Sequence, residues 1–391
     1  MVKEVKLSPL QSTGSFCVVS SSKYLVKLTW LRGVAAILVV ISHCIRTAQG
    51  RYDDSHPVGI HSDFIKVFDL GTFGVVLFFA LSGATLYFSN KNLALSDTLA
   101  FFVKRFFRIW PAFAVALIVY ALFRFIFQIY YSKTYGNWIE YQFLQSFGYI
   151  DVLTYLTLSF NLIGEVGLFN NAFWSLPVEF QYYLFFPFLL FLTRTVGIIT
   201  PIFLSIIAYA CQKYNLITLA SNDVLLLAFT FFLGFLLAHI HNESTFRMSW
   251  KCSFFLFASF CLACSAVTND IISFSGVPFI SNQAVYSGIF ALGAVFSLLF
   301  MNADFEENAF AVRPIYWLGE VSYSLYLYHN LILGILVIVM LNINCSDSLK
   351  NPWINLIVVL PTTCIIAKLS YRFIEKPSIE LGRKIAKKRE R

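Results

Sequence analysis

Leu31-Arg-Gly-Val-Ala-Ala-Ile-Leu-Val-Val-Ile-Ser-His-Cys-Ile45 is the first strongly apolar stretch of the chain, and two polar side chains stand inside it, Arg32 and His43, with ten residues between them. Eleven helical steps of about 100° come to within about 20° of three full turns, so the two share one helix face roughly 16 Å apart. They cannot touch, but they can line one path. An ionisable residue at membrane depth is costly and faces a cavity or a partner rather than lipid, so the pair is a functional candidate from the outset.

Working outward, the 391 residues are 58% hydrophobic, 18% aromatic and only 13% charged, with a mean hydropathy of +0.71. That lies far outside the range of a soluble domain and predicts a polytopic membrane protein. Trp30, Trp110, Trp174, Trp317 and Trp353 fall near the ends of apolar segments, where an amphipathic ring sits best. The eight cysteines are scattered. The close pair Cys261 and Cys264 lies mid-segment with no charged or histidine neighbour, so the cysteines read as small core residues and no metal site is expected. A polar stretch, Met1 to Lys27, leads directly into the first apolar segment, which is the expected export signal.

Windows of about 20 apolar residues predict helices near 28–46, 69–89, 105–130, 176–193, 196–212, 222–240, 251–268, 283–301, 315–341 and 354–373. The expected fold is therefore all-α, a polytopic transmembrane helical bundle of about ten spans. Lys3, Lys6, Lys23 and Lys27 precede the first window, and Lys91, Lys104, Arg105 and Arg108 lead into the third. Arg247 and Lys251 lead into the seventh, and Arg383, Lys384, Lys387, Lys388, Arg389 and Arg391 close the chain. The opposite loops are acidic or neutral, with Asp53, Asp54 and Asp63 in one and Glu140, Asp151 and Glu165 in another. Positive-inside counting then places both termini in the cytoplasm. The net charge of +8 follows from this asymmetry and says nothing of nucleic acid. The expected division is a polar cytoplasmic tail, 1–27, a transmembrane domain, 28–376, and a basic cytoplasmic tail, 377–391. The longest connection, about Tyr131 to Phe173, carries Tyr135, Asn137 and Trp138; it either folds over an outer mouth or lies on the membrane as a linker.

With that topology the intramembrane polar residues fall into two layers. Arg32, Arg105 and Arg108 share the cytoplasmic depth, and Arg372 and Glu375 return to it at the end of the last helix. Planar, permanently charged guanidinium groups suit phosphate oxygens, so an anionic cytosolic ligand such as a nucleotide or coenzyme A is the natural occupant. The plainer reading is that Lys104, Arg105 and Arg108 only mark the inner edge of helix three. In the outer layer His43 is expected to meet Glu179, of Trp174-Ser-Leu-Pro-Val-Glu179, because a histidine held by a carboxylate presents a ring nitrogen suited to taking a proton from a hydroxyl. His329 is expected near the midplane, lining the passage or bonding to backbone. His56, His61, His239 and His241 are expected in solvated loops or helix ends. Ser82, in Leu81-Ser-Gly83, does not sit in a nucleophile elbow, which needs a glycine two residues before the serine.

Six motifs in order carry a resemblance: Trp30-Leu-Arg-Gly-Val-Ala-Ala36 through His43, Gly74 to Gly83, Arg105-x-x-Arg108-Ile-Trp-Pro111, Trp174 to Glu179, Ser322-Tyr-Ser-Leu-Tyr-Leu-Tyr-His329 and Ser370-Tyr-Arg-Phe-Ile-Glu-Lys-Pro377. Over most of its length the chain resembles the acyltransferase-3 family of integral-membrane acyltransferases, many of which O-acetylate bacterial surface glycans. The resemblance implies that His43 is the catalytic histidine and Arg32 its motif partner, and Glu179 matches the family's acidic position after Trp174-Ser-Leu. It implies that Arg105 and Arg108 serve an acyl-CoA donor; by predicted depth Arg32 joins them, and Ser82, Trp174, His329 and Glu375 are expected along the substrate path. The chain departs from the family pattern at Phe180, Tyr328 and Asn330, around the expected acceptor side. The implied reaction moves acetyl from cytoplasmic acetyl-CoA, without a metal, to a sugar hydroxyl of a surface polysaccharide such as the O-antigen of lipopolysaccharide, or of its lipid-linked precursor. The implied location is the bacterial inner membrane, with membrane lipid and separate glycan-assembly proteins as partners. A transporter or flippase of an anionic lipid-linked glycan would use the same polar layers but calls for inverted repeats or paired broken helices, and the sequence has neither.

Overall fold

The computed structural model describes residues 15–48, 67–130, 138–164, 167–214, 216, 223–269, 283–306 and 309–389. Among these residues the only β pairing is an isolated bridge, Met248 against Met301. Ten described helices have at least 15 residues: α1 (Ser15–Ala48), α2 (Gly71–Asn90), α3 (Thr98–Tyr130), α4 (Ser175–Val196), α5 (Ile199–Lys213), α6 (Asp223–Glu243), α7 (Trp250–Thr268), α8 (Gln283–Leu299), α9 (Ser322–Asn342) and α10 (Pro352–Ser370). A π-helical turn, Tyr371–Glu375, joins α10 to α11 (Lys376–Arg389). Among the described residues seven helical stretches are long and apolar enough to cross a membrane, those built on α1, α2, α3, α4, α7, α9 and α10; α5 and α8 are apolar but shorter. The chain is thus an all-helical, multi-pass membrane protein.

Burial sorts these helices into centre and rim. In α2 and α9, 83% of the apolar window is buried inside the protein, whereas in α7 only 22% is. Apolar residues exposed on α7, such as Phe255 and Leu262, face the lipid, where their exposure costs nothing. At the centre α2 packs against α1, α6 and α8. Its approach to α6 is a backbone contact, for a Cβ at Gly83 would overlap the Phe231 carbonyl and one at Gly234 would overlap that of Ala80. Small residues let membrane helices close to this range, where dispersion and weak C–H contacts replace the missing hydrophobic drive.

Four expectations are corrected in detail. The window 315–341 is two helices, Arg313–Glu320 and α9, broken at Val321. Gly319 lies against the Thr29 carbonyl of α1 and Gly33 against that of Ile315, so the short helix is clamped to α1 while α9 departs from it. The expected polar tail 1–27 is helical from Ser15, and Lys27 is buried, donating to the Met301 carbonyl at 2.7 Å. The expected basic tail after Lys376 is helix α11, packed along α3, with Gly382 against the Phe107 ring. His241 is buried rather than solvated, its ring surrounded by those of Tyr24, Phe88 and Phe300, and His239 meets the Tyr87 hydroxyl at 3.1 Å. Burial follows because the early start of α1 carries Tyr24 over the end of α6. His56 and His61 lie outside the described residues.

The connection before α4 also differs from a linker. Tyr135 and Asn137 lie outside the described residues, but from the short helix Trp138–Phe143 onward the segment turns into the bundle. Tyr155, Phe160, Phe173 and Asn170 are all fully buried. Buried irregular backbone needs internal partners, and side chains supply them. The Tyr155 hydroxyl accepts from the Gly167 and Leu168 amides, both at 3.0 Å. Asn170 donates to the Tyr120 hydroxyl on α3 and accepts from Asn330 on α9, both at 2.9 Å. This inward turn sets where α4 begins, and so where Glu179 lies.

Candidate active site

Helix α1 supplies the axis of the site. Arg32 and His43 are both half-buried, and each lines a different cavity. The arginine cavity, of about 630 Å³, takes Arg32 from α1, Ser82 from α2, Arg108 from α3, Glu179 and Tyr183 from α4, and Tyr323 from α9. The histidine cavity, of about 660 Å³, takes Ser42, His43 and Arg46 from α1, Thr72 from α2, and Asn171 and Trp174 from the turn before α4. Val75 and Tyr326 line both, so the two cavities share one wall. The Tyr326 ring is held in that wall by its hydroxyl, which lies 2.8 Å from Ser175 Oγ and donates to the Ala172 carbonyl.

The arginine cavity brings together residues that the sequence placed in different layers. Glu179 does not stand beside His43; it lines the wall with Arg32 and Arg108 and accepts hydrogen bonds from Ser82 Oγ, at 3.2 Å, and from the Tyr183 hydroxyl. The inward turn of residues 144–174 is the reason, because Trp174 already stands at the level of His43 and α4 then carries Glu179 one turn further, toward Arg32. Arg105 lies one turn behind Arg108, its guanidinium over the rings of Phe101 and Tyr183 at 5.4 and 5.5 Å. Such stacking keeps a weakly hydrated cation planar and leaves its edges for other partners. Glu375 is buried behind the cavity, accepting from Ser324 Oγ at 2.8 Å. The π-helical turn that carries it is the kind of local rewinding that re-aims a side chain at functional sites.

The histidine cavity holds a second charged group that the sequence reading missed. Arg46 lies one turn beyond His43, its Nε 3.4 Å from the Asp69 carboxylate, which also accepts from Ser42 Oγ. Arg46 stands three positions after His43, a helical neighbour spacing, and that was the available signal. His329 lies against His43 with ring centroids 5.0 Å apart. Its Nδ1 is 2.8 Å from the Tyr326 carbonyl, the backbone bond that is one of its two expected settings. Of the other expected path residues, Ser82 and Trp174 line the arginine and histidine cavities respectively.

A helical membrane bundle whose ionisable groups converge on two adjoining cavities, Arg32 and Arg108 in one, His43 and Arg46 in the other, is a multi-pass membrane protein with a polar site in its interior. The chain belongs to the acyltransferase-3 family: the family's model, that of an acyltransferase domain, matches residues 25–372. It is similar to the peptidoglycan O-acetyltransferase OatA of Listeria monocytogenes, with 23% identity over 91% of this chain and 56% of the relative. It is also similar to the O-acetyltransferase OatA of Staphylococcus aureus, with 25% identity over 93% of this chain and 58% of the relative. The chain thus spans somewhat over half the length of these relatives. No solved structure matches it.

Proposed function

We propose that this acyltransferase is an O-acetyltransferase of the bacterial cytoplasmic membrane, moving acetyl from acetyl-CoA on the inner side to a glycan hydroxyl on the outer side. The observation that carries the reading is the pair of adjoining cavities along one face of α1, Arg32 and Arg108 in one and His43 in the other. The arginine cavity receives the donor, its guanidinium groups meeting phosphate oxygens as planar, permanent donors. Glu179, tied to Ser82 and Tyr183, balances part of that charge, and Glu375 does so from behind. A pantetheine arm spans the roughly 16 Å between Arg32 and His43 and brings the thioester to the wall at Tyr326. There His43 takes the proton of the acceptor hydroxyl, its oxygen bonds to the acetyl carbon, the C–S bond breaks and the coenzyme thiolate leaves to be protonated.

The relatives' names guide the choice of acceptor. The Listeria relative is named for peptidoglycan, so a cell-wall glycan replaces the O-antigen of lipopolysaccharide as the first acceptor to test. Membership in an acyltransferase family leaves the transporter reading without support of its own. The test is His43→Ala in cells and in reconstituted protein. Expected is loss of glycan O-acetyl groups by mass spectrometry, with membrane insertion and thermal unfolding unchanged; retained acetylation sinks the assignment of His43 as base.

A further inference from the structure

We propose that His329 is the positioning residue of His43, its Nε2 accepting a hydrogen bond from one ring nitrogen of His43 so that the other is left unprotonated toward the acceptor. The inference rests on the O-acetyl transfer reading and names the group that fills the place expected of Glu179, which lines the other cavity.

The protonation pattern of His329 follows from its backbone contact. A carbonyl oxygen only accepts, so the 2.8 Å approach of Nδ1 to the Tyr326 carbonyl puts the ring proton on Nδ1. In the neutral ring Nε2 then carries a lone pair and nothing to donate. That atom is fully buried and has no hydrogen-bond partner among the described residues. A buried acceptor without a donor is unfavourable, and such atoms in a folded protein call for an explanation. The ring of His43, at 5.0 Å between centroids and 56° between planes, supplies one. An N–H···N bond between two imidazoles separates their centroids by about 5 Å, the separation of these two rings.

The surroundings make His329 the fixed member of the pair. Its neighbours on α9 are buried, Asn330 is bonded to Asn170, and the Tyr326 ring lies 5.6 Å from its own. His43, by contrast, is half-buried at the cavity wall and has room to turn. The cation in that cavity, Arg46, is paired with Asp69, so a neutral imidazole suffices to orient His43 where a carboxylate would bring a further buried charge.

The test uses reconstituted full-length protein carrying His329→Phe or His329→Gln, each in wild-type and His43→Ala backgrounds, with acetyl-CoA as donor and a soluble peptidoglycan fragment as acceptor. His329→Phe keeps a ring but removes the acceptor, and is expected to lower kcat about 100-fold with KM for acetyl-CoA unchanged. His329→Gln restores an acceptor oxygen and is expected to recover at least tenfold of that loss. In the His43→Ala background neither variant is expected to change the residual rate. Equal loss in both variants with a lowered unfolding temperature, a raised KM, or effects that persist fully without His43 assign His329 a merely structural role and overturn the inference. Full activity of His329→Phe overturns it while leaving acetyl transfer standing. A wild-type protein that transfers no acetyl group from acetyl-CoA overturns both.

Discussion

At Glu179 two arrangements of one carboxylate make opposite kinetic demands. A group that oriented His43 would act on the proton transfer and so on kcat; a group that shares a cavity with Arg32 and Arg108 and is fixed by Ser82 and Tyr183 acts on how the cations receive the donor. Glu179→Gln keeps the shape and both hydrogen-bond contacts while removing the charge. With less of the guanidinium charge balanced, the cavity holds an anionic donor more tightly, so KM for acetyl-CoA is expected to fall about threefold, the size of one screened charge interaction, with kcat changed less than threefold. Steady-state kinetics at varied acetyl-CoA checks it, and a selective fall in kcat would return Glu179 to the side of His43. The members of the site were legible in the sequence because an ionisable residue in an apolar window stands out whatever its partners. Arg32, His43, Arg108 and Glu179, which line the two cavities, all stand out this way. Their pairing was not legible, because depth was read from where α4 was expected to enter the membrane. Arg46 was passed over because it lies just beyond the apolar stretch that drew attention to His43.

Among the elements, the long helices could be read and their interruptions could not. A run of about 20 apolar residues marks a helix through its mean hydropathy, but the same mean is blind to the break at Val321 and to the π-helical turn at Tyr371–Glu375. It is blind also to the inward course of residues 144–174, whose buried residues Tyr155, Phe160 and Phe173 follow no helical period. The contact of α2 with α6 has a sequence signature only in hindsight, since Gly83 and Gly234 are glycines among many bulky neighbours. It is nonetheless the contact that seats Ser82 against Glu179, one residue away from Gly83. Gly234→Val places side-chain atoms where the Ala80 carbonyl now stands and forces the two helices apart. Such overpacking is expected to destabilise the protein by about 2 kcal/mol, read as a lower unfolding temperature in detergent together with reduced acetyl transfer. An unchanged unfolding temperature would mean that α2 and α6 do not depend on backbone contact.

For the molecule as a whole, the parity of the crossings decides which side each cavity serves. Seven described stretches qualify as spans by length and apolarity alone, and an odd number of crossings would place the termini on opposite sides. Three further helices of 15 residues or more, α5, α6 and α8, bear on that count. Helix α6 lies against the central α2 from the contact of Gly234 with Ala80 to that of His239 with Tyr87. Helices α5 and α8 have 15 and 17 residues, roughly 22 and 25 Å at 1.5 Å per residue, short of a bilayer core of about 30 Å. Each packs on α6, and α8 packs also on α2 and α7; local thinning at such short helices is a modest cost. If α5, α6 and α8 also cross, the ten crossings expected from the sequence would return both termini to one side, and by positive-inside counting that side would be the cytoplasm. A fluorescent protein that matures only in the cytoplasm is therefore expected to fluoresce at either terminus, and alkaline phosphatase, active only outside, to be silent at both. Fused after Phe143, within the connection before α4, the phosphatase is expected to be active. Activity at the C-terminus instead would leave an odd number of crossings and put α11, with the mouth it packs beside on α3, out of reach of a cytosolic donor.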